Sequence, residues 1–448
     1  MNIKKLLIAS LTLFTLSITV SCNNKKKTSG ISAGLPYTLV ETNERLDEGE
    51  ELTLGFDYTG ENMKVYWSDD IETPSTEKMH TFVGKDDENM PYFIIEGNVT
   101  SIWFTDKDGN SIQIGNDKIR EIIFSNTITS LPKYACASLM DLRTVFIPKS
   151  VKKISEYAFT PSIYYLHDTD GIYCEYETRP STWSPNWYYG PIMGNLVKWG
   201  FSYYIFDDEQ EYFLYSKGDI HIASYMGYAF PTDVKKVVIP QTIEINKQKF
   251  DVVVISDTGY EFLSAEELEI NNNIMHIRER MFSDWEQLKI IKFIGDFDYL
   301  YFDEYVFGYC DVLTSVTLPD GLVNFPYSMF EGCNNLSRVN IPGTVQHIDE
   351  DIFYYACNDE DLVIDITGNK SAGNIPICDD GEVFDYCQAK SIKFVYNGSA
   401  FNDNKELTNE FKAEISENGF GREIYKELQR KKYIKIYELI DNLSLFLK

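Results

Sequence analysis

The chain has 448 residues, and its 69 acidic and 41 basic residues give a formal net charge of −28 at neutral pH. Nucleic acid is a poor candidate partner, because phosphate binding needs a basic footprint. The length could hold two or three ordinary domains, although a stack of repeats could use it without one large core.

The first 21 residues have the pattern of an export signal. Lys4 and Lys5 are followed by an apolar stretch over 6–20, which is too short for a comfortable membrane span. The Thr-Val-Ser-Cys sequence that ends at Cys22 resembles the lipobox of bacterial lipoproteins, where the chain is cut before the cysteine and the cysteine carries the lipid. The resemblance implies a lipoprotein signal peptide over 1–21 and lipid attachment at Cys22. An ordinary secretory signal with a stray cysteine is the alternative.

Residues 22–33 are polar and lack apolar periodicity, so we predict a flexible tether. The lipid would be the membrane contact, because no later apolar run approaches about 20 residues. The predicted location is the outer membrane. Lys25, Lys26 and Lys27 stand where some surface lipoproteins carry an acidic export signal, which leaves the cell surface and the periplasmic side both open.

Residues 34–116 alternate apolar and polar side chains, as at 52–58 and 101–105, in the manner of half-buried strands. We predict a β-rich N-terminal domain or cap over this range. Asp106, Asp108 and Asn110 are similar to the opening of a calcium loop, but a hairpin turn explains the same residues. No metal site is predicted.

Two later segments, 117–160 and 234–400, repeat an apolar pattern every 23 residues. Phe307, Phe330 and Phe353 are spaced in this way. A fixed period of this size indicates stacked supersecondary units rather than one globular core. Each coil is predicted to contribute a short strand and one core aromatic ring.

Individual positions extend the pattern. Leu131 is answered by Ile154, and Ile277 is answered by Leu300, after which a two-residue slip indicates a bulged coil. Gly332 is predicted to form a corner that needs a positive φ.

Seven cysteines follow Cys22, and Cys310, Cys333 and Cys357 occupy equivalent repeat positions. Neighbouring coils lie about 4.8 Å apart, which is within disulfide range, but stacked side chains would point in parallel. We expect small buried core residues. Zinc is the weaker alternative, because no Cys-x-x-Cys or histidine pair stands near them. The disulfide state of the seven cysteines stays open.

The Ile-Pro-x-x-Val and Ala-Phe-x-x-Cys elements, repeated in register, resemble the leucine-rich repeats of the BspA-like family, which is common among lipoproteins of Gram-negative, Bacteroides-type bacteria. The resemblance covers roughly 117–160 and 234–395. It implies a cell-envelope protein that binds other proteins or host surfaces. It implies no catalytic residues and no cofactor.

Between the repeat segments, residues 161–233 form a predicted insertion rich in aromatic residues. Exposed rings of Trp183, Trp187, Tyr188 and Tyr189 could stack on sugar rings or anchor a protein interface. The alternative is that the rings form the core of a small β unit. Trp183 and Trp187 are expected to be the most exposed, because they lie among prolines and a serine in a predicted loop.

The last segment, 401–448, is predicted to form two helices. A stripe of Ile436, Ile440, Leu443 and Leu447 gives one of them an apolar face. A cap that covers the open edge of the last coil is favoured over a partner-binding helix.

Together these patterns predict a β-rich (α/β) leucine-rich-repeat solenoid of about 23-residue coils with an N-terminal β domain, a β-rich insertion and a helical C-terminal cap. The five histidines are scattered, and nothing singles out a pair of carboxylates, so we expect no enzyme activity and no cofactor. The predicted function is a lipoprotein that binds a protein partner. Glycan binding through the aromatic insertion is the alternative.

Overall fold

The computed structural model describes 35–42, 44, 46–85, 90–159, 171–188, 197–206, 210–228, 234–256, 264–345, 347–349, 351–358, 361–367, 377–378, 386–396 and 399–400. The chain divides into two compact units, Met1–Gln210 (unit 1) and Glu211–Lys448 (unit 2). Cys22, the predicted tether and the predicted helical cap over 401–448 lie outside the described residues. The helix of the described part is a short 3₁₀ turn, Ile114–Lys118. None of the described helical residues makes a segment long and apolar enough to cross a membrane.

The strands are short. Up to the unit boundary they are β1 (Thr38–Thr42), β2 (Glu51–Gly55), β3 (Asp57–Trp67), β4 (Asp70–Ser75), β5 (Met79–Val83), β6 (Tyr92–Trp103), β7 (Ile119–Ile123), β8 (Ser130–Leu131), β9 (Thr144–Ile147), β10 (Lys153–Ile154), β11 (Gly171–Cys174), β12 (Val197–Trp199) and β13 (Phe201–Ile205).

From the boundary onward they are β14 (Gln210–Lys217), β15 (Ile220–Tyr228), β16 (Lys236–Ile239), β17 (Thr242–Ile245), β18 (Gln248–Ile255), β19 (Glu267–Asn271), β20 (His276–Ile277), β21 (Ile290–Ile294), β22 (Tyr301–Phe302), β23 (Ser315–Thr317), β24 (Asn324–Phe325), β25 (Arg338–Pro342), β26 (His347–Ile348), β27 (Asp361–Thr367), β28 (Ile377–Cys378), β29 (Ser391–Tyr396) and β30 (Ser399–Ala400).

The N-terminal strands are continuous with the repeats of unit 1. β1 pairs antiparallel with both β6 and β7, and β7 then pairs in parallel with β9. One hydrophobic core runs from Val40 through Phe93 and Ile122 to Trp187. A separate N-terminal β domain ending at 116 was therefore the wrong prediction, although its strands are present. They form the first edge of the same sheet.

Unit 1 stacks its coils in parallel. The ladder runs β7, β9, β11, β12, with Ile122 opposite Val145 and Ile172 opposite both Val145 and Val197. A second column of short strands places Leu131 opposite Ile154, as the period predicts. The ladder continues past 160, so the start of the predicted insertion at 161 is not a break in the repeats.

Unit 2 repeats the arrangement. Its main ladders are β16, β19, β21 and β23, β25, β27, β29, while short strands such as β20 and β22 form a second column. Ile277 stands opposite Phe302 and not opposite Leu300, so the two-residue slip lies before Leu300 and not after it. Leu300 instead bridges to Leu322.

A column of phenylalanines fills the core of unit 2. Phe307 stacks on Phe330 with ring centroids 5.9 Å apart, and Phe330 stacks on Phe353 at 6.0 Å. Phe282 extends the column, 5.5 Å from Phe307. Such contacts are worth about 0.5–1.5 kcal/mol beyond the buried area. The prediction of one core aromatic ring per coil is confirmed for these four coils.

The corners of the coils use left-handed backbone. The residue before the small-or-apolar and Phe pair has a positive φ in successive coils, as at Tyr305 (55°) and Ser328 (49°). Gly332 also has a positive φ of 67°, and a Cβ there would lie 2.5 Å from the ring of Tyr309. The predicted role of Gly332 is confirmed, since only glycine fits both conditions.

Candidate functional site

Trp183 and Trp187 are buried, with exposed fractions of 1% and 0%. The expectation that these rings are exposed was wrong. The indole Nε1–H of Trp183 donates to the carbonyl oxygen of Val151 at 3.1 Å, and its ring meets that of Trp187 edge-on at 5.3 Å. A ring whose polar atom is satisfied inside the core has no free face for a sugar.

The repeat register explains why Trp183 is inside. The amide of Ser184 donates to the carbonyl of Ile154 at 2.9 Å, just as that of Ser155 donates to Leu131 at 3.0 Å. Trp183 therefore follows Leu131 and Ile154 as the inward residue of the next coil. It comes 29 positions after Ile154 rather than 23, so a search at the fixed period misses it.

The remaining predicted rings are near the same core. Tyr188 is half-buried, and its ring packs edge-on against Trp187 at 4.8 Å. Trp187 in turn packs edge-on against Phe159 at 5.7 Å. Tyr189 lies outside the described residues. The structure thus brings Trp183, Trp187 and Tyr188 together as packing, which is the alternative that the sequence left open.

The Asp106 segment is a turn. Oδ1 of Asp106 accepts the backbone amides of Asp108 at 2.8 Å and Asn110 at 3.0 Å, and Thr105 and Ser111 form an antiparallel bridge. Hydrogen bonds from Asn110 lower the pKa of Asp106. The carboxylate is thereby committed to its own loop. Within the described residues no group of three or more His, Cys, Asp or Glu side chains could hold a metal ion.

Polar pairs of the kind used in catalysis occur singly. Ser216 Oγ lies 2.7 Å from Nδ1 of His221 in the exposed hairpin of β14 and β15. His276 Nε2 lies 3.0 Å from Oδ1 of Asp303. Nucleophilic catalysis needs a nucleophile, a base and a group that orients the base. These pairs belong to different coils, so they do not combine into such a set.

The outward face of the parallel sheet in unit 1 is covered. Every residue of β9 and β11 is buried. Phe146 on β9 packs against Tyr203 at 5.7 Å, and Tyr173 on β11 packs edge-on against Phe201 at 5.4 Å. Both covering rings belong to β13. Lys198 is also fully buried and donates to the hydroxyl of Tyr173 at 3.2 Å.

The corresponding face in unit 2 is open, and we call it the sheet face. Alternate side chains of β21 and β23 are exposed. The most exposed apolar residues on it are Ile290 (46%) and Ile294 (39%). The outward residues of its strands are Lys236, Glu267, Glu269, Ile290, Lys292, Ile294, Ser315, Thr317, Arg338, Asn340 and Asp365.

Charges on the sheet face are paired across strands. Lys236 Nζ lies 2.9 Å from Glu267 and 2.6 Å from Glu269, and Lys292 Nζ lies 2.5 Å from Glu267. The hydrogen bond from Lys292 lowers the pKa of Glu267, and the bond to Glu269 raises that of Lys236. Exposed pairs contribute little to stability. They do neutralise one another, so this part of the face is balanced in charge within an acidic chain.

A second exposed feature of unit 2 is a row of tyrosines at the corners of the coils. Tyr309, Tyr355 and Tyr386 have exposed fractions of 41%, 49% and 65%. In unit 1 the corner tyrosines Tyr134 and Tyr157 stack on each other instead, 6.1 Å apart. No signal in the 23-residue period distinguishes these surfaces, because the period reports inward positions.

Comparison with known proteins gives a family. Residues 91–165 and 227–360 match the model of the BspA type leucine-rich repeat region, with six copies. The match begins within the predicted N-terminal β region, where β6 already pairs in parallel with β8. No curated protein matches the chain.

Several solved structures are similar. A leucine-rich repeat protein from Bacteroides capillosus shares 21% identity over 29% of this chain and 91% of its own, with a TM-score of 0.25. A leucine-rich cell surface protein from Faecalibacterium prausnitzii shares 19% identity over 54% of this chain and 64% of its own, with a TM-score of 0.34. The pneumococcal vaccine antigen PcpA shares 15% identity over 45% and 52%, also with a TM-score of 0.34.

Proposed function

The chain belongs to the BspA-type leucine-rich repeat family, and from this premise we propose that it is a non-enzymatic, lipid-anchored envelope protein that binds a protein partner through the sheet face of unit 2. Regular coils present extended surfaces by construction. The covered face in unit 1 leaves the sheet face of unit 2 as the accessible counterpart. Its pattern of apolar side chains among charges is the observation that carries the proposal.

Ile290 and Ile294 support a protein partner in particular. Single exposed apolar residues are ordinary on protein surfaces. Here two isoleucines, 46% and 39% exposed, flank Lys292 on one strand and project from one open face. Alternate residues lie about 6.6 Å apart along a strand, so both can enter one interface. Apolar anchors inside a polar rim are the usual centre of such an interface.

The test replaces both anchors. A photoreactive amino acid at Ser315 or Thr317 first crosslinks the native partner, which is then purified. The double substitution Ile290→Glu and Ile294→Glu is expected to weaken its binding at least tenfold, because each carboxylate would be desolvated in the interface. The measurement is the dissociation constant by titration calorimetry.

A matched control uses isoleucines that lie off the face. Ile114 is 91% exposed and Ile220 is 37% exposed, and changing both to Glu should leave binding unchanged. Equal affinity for the native chain and the Ile290/Ile294 variant would refute the sheet face as the binding site.

Lipid anchoring is the second part of the proposal. It is supported by the export signal, Cys22 and the polar tether. Cys22→Ala should move the protein from the membrane fraction to the soluble fraction, while Ser21→Ala, which keeps the cysteine, should stay with the membrane. The readout is fractionation followed by immunoblotting. An unmoved Cys22→Ala variant would contradict lipidation.

The side of the outer membrane that the protein faces follows from protease treatment of intact cells. Digestion would place the repeats on the cell surface, where a host or neighbouring-cell protein is the partner. Protection, with digestion after permeabilisation, would place them in the periplasm with an envelope partner.

A further inference from the structure

Three cysteines form a buried column in unit 2. Cys310, Cys333 and Cys357 occupy equivalent positions and are fully buried. The thiols of Cys310 and Cys333 donate to the carbonyl oxygens of Phe282 at 3.2 Å and Phe307 at 3.0 Å. Burial raises the pKa of the Cys310 thiol well above its usual range. These thiols are inert core groups, as the sequence predicts.

Cys387 extends this column to the surface. The amide of Gln388 donates to the carbonyl of Ala356 at 3.0 Å, and the amide of Tyr355 donates to that of Tyr386 at 3.3 Å. These two bonds bracket Cys357 and Cys387 on adjacent segments. The two thiols are hydrogen-bonded to each other. Cys387 is half-exposed, whereas Cys357 is buried.

The backbone departs from the repeat at this pair. In the coils before it the left-handed corner residue directly precedes the cysteine, as Tyr309 precedes Cys310 and Gly332 precedes Cys333. Cys357 is itself left-handed, with a φ of 62°. Such a conformation is uncommon outside glycine and is a mark of functional positions. The argument that stacked cysteine side chains point in parallel therefore does not apply to Cys357 and Cys387.

We propose that Cys387 and Cys357 are a redox-active dithiol, in which Cys387 attacks an external disulfide and Cys357 resolves the product into an intramolecular disulfide. The external disulfide is the oxidant, either a small-molecule disulfide or the active-site disulfide of an exported thiol oxidase. The bond would join the last coils to one another.

The chemistry balances in two exchanges. The Cys387 thiolate attacks one sulfur of the external disulfide, forming a mixed disulfide and releasing one thiolate. Cys357 then gives up its proton and attacks the Cys387 sulfur, which breaks the mixed disulfide and releases the second thiolate. The two cysteines lose two electrons and two protons, and the external disulfide is reduced to two thiols.

The electrostatics suit these two roles. The hydrogen bond from Cys357 lowers the pKa of Cys387 to about 7, compared with about 8.5 for a free cysteine. The same bond and burial raise the pKa of Cys357. The exposed partner thus supplies the thiolate at neutral pH, and the buried partner stays protonated until the mixed disulfide forms beside it.

The test uses the full chain, purified in reductant and then exposed to oxidised glutathione. Peptide mapping by mass spectrometry after alkylation should find Cys357 joined to Cys387, while Cys136 and Cys174 remain reduced. Cys387→Ser should abolish the bond. Cys357→Ser should trap glutathione on Cys387, because the resolving thiol is gone. Cys333→Ser is the matched control and should leave the bond intact.

A measurement on the native sequence covers the case in which a variant does not fold. Iodoacetamide should label Cys387 at least tenfold faster than the five buried cysteines, with half of the maximal rate near pH 7. A Cys387 that stays reduced in oxidised glutathione, that keeps glutathione in the unaltered chain, or that labels no faster than Cys136 would overturn the proposal.

Discussion

In unit 1 the outward face of the parallel sheet is covered, whereas in unit 2 it is open. β9 and β11 are buried at every position because the rings of Phe201 and Tyr203 lie on their outward side chains. β23 exposes Ser315 and Thr317 on either side of buried Val316. The same repeat thus builds a closed layer in one unit and an accessible surface in the other.

The outward residues themselves account for this difference. Strands covered on both faces are nearly continuous apolar runs, while strands with one wet face alternate. The covered strands carry Phe146 and Tyr173 outward, and the open ones carry Lys292 and Thr317. The aromatic segment after 160 supplies the cover and the inner rings of its own coil. Its rings therefore serve the core of unit 1, and a partner would be sought on unit 2.

The strongest test of this comparison is Trp183→Ala or Trp187→Ala. Either change should lower the free energy of unfolding by about 3–5 kcal/mol, because a buried indole leaves a large cavity. The measurement is urea denaturation, and Tyr309→Ala on the exposed edge of unit 2 should cost less than about 0.5 kcal/mol.

Glycan titrations of the same variants decide between core and ligand roles. The native chain should show no binding that depends on either tryptophan. A Trp183→Ala protein with an unchanged unfolding midpoint and a lost glycan affinity would return these residues to a ligand site.

The tryptophans also mark how far sequence reasoning reaches. The period identifies inward positions wherever the coil length is kept, so the phenylalanine column and the buried cysteines were predictable. Trp183 occupies the position of Ile154 in a coil six residues longer, with an indole in place of an aliphatic side chain. A fixed period cannot see such a coil. A search for one inward residue per coil, with free coil length, could have found it.

The surfaces were out of reach for a different reason. Whether a sheet face is covered depends on a distant segment, as with Tyr203 over Phe146. The join between β1 and β7 is likewise tertiary, so the boundary predicted at 116 had no local signal against it. The Cys357 and Cys387 pair is 30 residues apart and falls outside the period altogether. Such contacts follow from chain path and not from local pattern.

A smaller effect tests the cover of unit 1 directly. Phe146→Ala and Tyr203→Ala should each destabilise the protein, and the double variant should cost less than the sum of the two. Because the rings lie 5.7 Å apart, we expect a coupling free energy of about 0.5–1.5 kcal/mol. The measurement is a double-mutant cycle in urea. Strict additivity would mean that β13 does not hold this face closed.

The matched position in unit 2 should show no such dependence on a partner strand. Thr317→Ala removes an exposed side chain from β23, and its effect on unfolding should stay within about 0.5 kcal/mol. A loss as large as that of Phe146→Ala would mean that the sheet face of unit 2 is also covered.

The smallest expected effect concerns the charges of the open face. Lys292→Met removes the ion pair with Glu267, whose pKa is lowered in the folded chain mainly by that lysine. A lowered pKa contributes stability above the ordinary value of 4.5 and loses it as the pH falls through the folded value. The native chain and Lys292→Met should therefore differ most near neutral pH and low salt, and should converge under acid. Unfolding followed from pH 7 to pH 3 measures this. A difference that grows as the pH falls would show that Lys292 acts through packing of its stem against the neighbouring isoleucines and not through the charge of Glu267.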